Sequence, residues 1–96
     1  MVDEGVIAGG RPRLRAKARM RYDSVRRSFV LLLPERAVLL SDTAAEILRL
    51  CDGSRTAAGV VAVLQDKYHD ASVPGDVREF LQQAAQKGWI EWTAPA

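Results

Sequence analysis

His69 and Cys51 are the only histidine and cysteine in the chain, so they decide whether metal or nucleophilic chemistry is open to it. A zinc site takes four ligands, mostly cysteine and histidine, and these two cannot supply them. His69 stands beside Asp70 in the polar stretch "HDASVPGD", where a solvated loop residue is the expected reading. Cys51 falls on an apolar helical stripe, which suits a buried structural thiol better than a nucleophile. No G-x-x-x-x-G-K-[ST], G-x-G-x-x-G, H-E-x-x-H or G-x-S-x-G string occurs, so phosphate cradles, zinc hydrolysis and serine nucleophile elbows have no support. The chain reads as a non-enzyme that carries no cofactor and no metal.

Binding chemistry remains. Residues 1–27 hold eight Lys or Arg against Asp3, Glu4 and Asp23, a formal +5, whereas the rest carries a formal −3. Within that basic part "RLRAKARMRYDS" alternates strictly, with Arg13, Arg15, Lys17, Arg19 and Arg21 on one side and Leu14, Ala16, Ala18, Met20 and Tyr22 on the other. Several cations along one face are what counterion release from nucleic-acid phosphates requires. A helix that reads a groove should share that charge, but the last helical segment carries Asp76, Glu79 and three Gln with only Arg78 and Lys87 as cations. The alternating cations are better explained as a strand edge that deters other strands from pairing. DNA binding by a winged helix, dependent on Arg15, Lys17, Arg19 and Arg21, is the alternative reading; nucleic acid is otherwise not expected as a partner.

The elements that position these residues follow from periodicity. Residues 1–12, with a Gly pair and a Pro, read as a mobile tail, and a single domain is expected over residues 13–92. Period two from Arg13 to Tyr22 implies one extended strand with a buried face. "SFVLLLP" is apolar on both faces, as a central strand would be, and "RAVLLS" after the Pro34-Glu35 turn makes a third, giving an antiparallel meander. Ser41, Asp42 and Thr43 are cap residues, Thr43 and Glu46 have capping-box spacing, and Ala44, Ile47, Leu48 and Cys51 form a stripe ended by Asp52-Gly53. A second helix starts at Ser54 or Thr56 with a stripe of Ala57, Val60, Val61, Leu64 and Tyr68. A third runs from about Pro74 or Gly75 to Lys87, with Val77, Phe80, Leu81, Ala84 and Ala85 on one face and Gly88 as its stop. "WIEW" closes as a short extended piece. The fold class is therefore α+β, a three-stranded antiparallel sheet followed by three short helices, winged-helix-like.

Ninety-six residues suffice for one apolar core but leave little room for a deep catalytic cavity. A hydrophobic share of 48% and a charged share of 27% belong to an ordinary globular chain. No apolar run approaches the roughly 20 residues of a bilayer span, and the N-terminus lacks the order of a signal peptide, so no membrane partner and a cytoplasmic location are expected.

Of the two edge strands the first is guarded by cations and the third is not. The unpaired N–H and C=O groups of "AVLLS" could template an added strand from a peptide, with the third helix as the floor of a groove. A homodimer whose open edges pair, or that exchanges the N-terminal segment, is a third reading.

The string "LLLPER" followed by "TAAEILRLCDG", with Tyr68 and Gly88-Trp89 behind it, resembles the pyrroloquinoline quinone biosynthesis protein D (PqqD) family over about residues 12–90. The resemblance implies a peptide chaperone of the recognition-element type found with ribosomally made, modified peptides. It would bind the precursor peptide and present it to a radical S-adenosylmethionine enzyme that crosslinks a Glu and a Tyr of that peptide. In related recognition elements the leader adds beside the third strand and packs against the third helix. Carried onto this chain, the implied site is Arg36, Ala37, Val38, Leu39, Leu40 and Ser41 with Val77, Phe80, Leu81 and Ala84, about half of the last four also filling the core.

Overall fold

A computed structural model describes residues 9–94. Among the described residues the elements follow in the order β1 (Arg11–Leu14), β2 (Arg19–Asp23), β3 (Ser28–Leu32), β4 (Ala37–Leu39), α1 (Asp42–Arg49), α2 (Ala57–Tyr68), α3 (Val73–Gln86) and β5 (Ile90–Thr93). The α+β class and the β2-β3-β4 antiparallel meander agree with the sequence reading.

The stretch expected as one long strand is two strands in two different sheets. β1 pairs antiparallel with β5, from Arg11 opposite Thr93 to Leu14 opposite Ile90. A turn at residues 15–18, closed by Ala18 N–H donating to the Arg15 carbonyl at 2.9 Å, then turns the chain into β2. Period two persists through both halves because successive side chains of each strand point to opposite faces whichever sheet it joins, so the pattern could not reveal the corner. Arg13 is committed to Glu91 at 2.8 Å, and Arg15 and Lys17 lie in the turn. The cations therefore do not form one row on one strand.

The expected tail also begins to be structured sooner. Arg11 and Pro12 belong to β1, Pro12 is fully buried, and the Gly53 amide donates to the Pro12 carbonyl at 3.0 Å. Residues 1–8 of that tail lie outside the described residues.

Turn chemistry sets the meander. The Asp23 carboxylate accepts from the amides of Val25 and Arg26, and Arg27 takes a left-handed φ of 54° to close the β2-β3 hairpin. Pro34 opens the tight β3-β4 turn, in which Leu33 N–H donates to the Arg36 carbonyl at 2.8 Å. Ser41, not Thr43, caps α1, accepting from the Ala44 amide at 3.1 Å. Glu46 makes no capping box; it leaves α1 to accept hydrogen bonds from Lys67 and Tyr68 of α2. Thr56 caps α2 through the Gly59 amide, and Gly88, at φ 79°, supplies the left-handed residue beyond α3.

The core lies between the helices and one side of the meander. Leu31, Leu48, Leu81, Ile90 and Val60 are fully buried at its centre. Phe29 projects to the same side as Leu31 and meets Arg49 of α1, whose guanidinium carbon is 5.5 Å from the ring centroid. Cys51 is buried as expected, its Sγ donating to the Ile47 carbonyl at 3.2 Å. His69 ends α2 in a left-handed conformation and is exposed.

Candidate functional site: the free edge of β4

β4 pairs with β3 in the register Val30 with Leu39, Leu31 with Val38 and Leu32 with Ala37. Antiparallel residue pairs alternate between those that exchange hydrogen bonds and those whose amide groups point away from the partner strand. Here Leu33 donates to the Arg36 carbonyl at 2.8 Å and Leu40 donates to the Phe29 carbonyl at 2.9 Å. These two bonds fix the phase: Arg36, Val38 and Leu40 face β3, while the N–H and C=O groups of Ala37 and Leu39 point to the other side. No described strand pairs there, so four backbone groups form a short, unoccupied ladder.

The same bonds sort the ten expected site residues. Ala37 and Leu39 offer backbone, and Leu39 adds a side chain that is 56% exposed. Val38 is half-buried and Arg36 exposed at the mouth of the turn. Leu40 is buried with its amide held by Phe29, and Ser41 spends its hydroxyl on Ala44 and its carbonyl on the Ala45 amide. On α3, Val77, Leu81 and Ala84 are core residues at 3%, 1% and 1% exposure. Phe80 alone of the four keeps accessible surface, its ring 6.5 Å from that of Trp89. An i, i+4, i+7 stripe must face the interior first, and that constraint removed three of the four. β4 packs extensively on β3, and α3 on α2 and β5. The opposite edge of the sheet, β2, is also without a described strand partner; it lies beside the exposed Arg19 and Arg21.

Titration behaviour elsewhere is structural. Burial pushes the Cys51 thiol up to about 12, which leaves it protonated and unreactive near neutrality. Hydrogen bonds from Lys67 and Tyr68 hold the Glu46 carboxyl below its usual range, and those from Ser54 and Ser72 do the same for Asp52 and Asp70 in their turns. No cluster of His, Cys, Asp and Glu suited to a metal ion occurs among the described residues.

Fold and edge together define a small α+β domain whose open-edged meander can accept another strand. Residues 28–90 match the family model described as coenzyme PQQ synthesis protein D (PqqD). This chain belongs to the PqqD family. It is 42% identical over 82 residues to a "PqqA binding protein" of Rhodopseudomonas palustris strain HaA2, covering 83% of this chain and 80% of the relative. A "PqqA binding protein" of Kluyvera intermedia is 40% identical over 85 residues, covering 88% of this chain and 92% of the relative. Among solved structures, the solution NMR structure of the PqqD truncation of Methylobacterium extorquens PqqCD is similar with a TM-score of 0.70 and 38% identity. That match covers 83% of this chain and 87% of the other, which is described as a functional, stand-alone recognition element for ribosomally synthesized and post-translationally modified peptides.

Proposed function

We propose that this chain binds a PqqA-type precursor peptide by strand addition at β4 and presents it, in the cytoplasm, to a radical S-adenosylmethionine enzyme that forms a Glu-Tyr crosslink. The chain itself performs no chemistry. The names of its relatives support the peptide, and the observation that carries the mode of binding is the outward-pointing amide groups of Ala37 and Leu39. Four hydrogen bonds at a net of roughly 0.5–1.5 kcal/mol each contribute about 2–6 kcal/mol. A micromolar complex needs about 8 kcal/mol, so apolar guest side chains beside Leu39 and Val38 must supply the remainder. Such a complex suits a chaperone that must release its guest. A titration of the isotope-labelled protein with synthetic precursor peptide, followed by NMR, tests the reading. Shifts concentrated on residues 36–41 are expected, with a smaller set at Phe80; shifts confined to β2 would overturn it.

A further inference from the structure

An antiparallel sheet packed on one side normally turns polar residues to the other. This meander does so only along β2 and at Ser28. Residues directly opposite each other in a ladder share a face, so the register places Val30 with Leu39 and Arg21, and Leu32 with Ala37 and Arg19, all on the side away from Leu31 and the helices. Four neighbouring outward positions, Val30, Leu32, Ala37 and Leu39, are thus apolar. Leu39 is 56% exposed, and a shallow depression of about 450 Å³ runs across the face, with Arg21, Arg26, Val30, Leu32 and Ala37 among its lining residues. The sequence "SFVLLL" is apolar on both sides as if for a central strand covered twice, yet the helices cover it once. An apolar surface bordered by charge is the pattern of an interaction site.

The border selects the occupant. Arg19 and Arg21 are exposed along β2, and the single acid on this face, Asp23, is bound to the Val25 and Arg26 amides and lies 3.7 Å from the Arg26 guanidinium. A second copy packed face to face would bring arginines without carboxylates to meet them. A partner with an apolar patch flanked by Asp or Glu matches both halves. The face is also continuous with the free edge of β4: outward side chains of an added strand would extend it, so whatever docks there touches the guest.

We infer that the outward face of the β2-β3-β4 sheet is the docking surface for the peptide-modifying enzyme, received through an apolar patch with an acidic border; this rests on the proposed chaperone function. The test uses the full chain and the purified cognate radical S-adenosylmethionine enzyme, with affinities measured by calorimetry for peptide and for enzyme separately. The double variant Arg19→Glu/Arg21→Glu changes two exposed side chains and should keep the wild-type fold by NMR. Peptide affinity within about twofold of wild type and enzyme affinity lowered at least tenfold is the expected result. Wild-type enzyme affinity should also fall as salt rises, as charge pairing requires. Unchanged enzyme affinity in the folded variant overturns the inference, and so does a concentration-dependent doubling of wild-type mass by light scattering that the variant abolishes, since the face would then be occupied by another copy. Wild-type protein that binds the enzyme at this face but no peptide would sink the chaperone reading and leave the docking surface standing.

Discussion

Leu39→Pro separates the guest's ladder from the protein's own. The Leu39 N–H points away from β3, so the substitution removes a donor that the folded chain does not use internally, at an edge position where proline is tolerated. Val38→Pro would by contrast delete a β3-β4 bond. For a bound peptide, the loss is one hydrogen bond of roughly 0.5–1.5 kcal/mol plus the penalty of a guest carbonyl left without a partner, about 1–3 kcal/mol. The sum of about 2–4 kcal/mol corresponds to a weakening of roughly 30- to several-hundred-fold. Calorimetric titration with the precursor peptide measures it, with circular dichroism melting as the check on folding. Leu39→Ala keeps the donor and removes a side chain already half in water, so it should weaken binding by about tenfold or less. A folded Leu39→Pro variant with wild-type peptide affinity would refute strand addition at β4.

Three further outcomes follow from the same geometry. Cys51, buried and with its pKa pushed up to about 12, should resist alkylation at pH 8 in the native protein and react promptly in denaturant, as mass spectrometry would show. Glu46 has a folded pKa below its unfolded value, so its link to Lys67 and Tyr68 stabilises the fold above the unfolded carboxylate range and is lost as pH falls through the folded value. Denaturant melts between pH 7 and pH 3 should accordingly show a smaller acid-induced drop in Glu46→Gln than in wild type. Gly88→Ala places a Cβ at φ 79°, where strain of roughly 1–2 kcal/mol should lower the melting temperature although nothing lies within 4 Å of the new atom.

What the sequence made legible is the part governed by local chemistry. Ser41, Thr56 and Gly88 lie at helix ends because caps and left-handed stops are set by nearby residues, and the meander is readable from the Pro34 turn between two apolar runs. The choice among Ser41, Asp42 and Thr43 as cap was not readable; with Ser41 as the cap, Ala44 and not Glu46 stands three residues on, so Glu46 forms no box and meets Lys67 and Tyr68 instead. The β1-β5 pairing joins residues at opposite ends of the chain, and no periodicity announces a partner that distant. The corner at residues 15–18 was hidden for a related reason: alternation is a property of each strand, not of the sheet it joins. For the site, the bare edge of β4 was visible in "AVLLS", but the phase that frees Ala37 and Leu39 while engaging Val38 and Leu40 exists only once the register is fixed. The α3 stripe could not say which of its residues are interior, and Val77, Leu81 and Ala84 proved to be.

Amide hydrogen exchange, resolved residue by residue with and without the precursor peptide, addresses the guest's ladder directly. In the free protein the amides of Val38 and Leu40 should be protected and those of Ala37 and Leu39 should exchange quickly; on adding peptide, Ala37 and Leu39 should slow together. Rapid exchange at both in the peptide-saturated protein, with new protection appearing on Met20 and Tyr22 of β2 instead, would contradict the account.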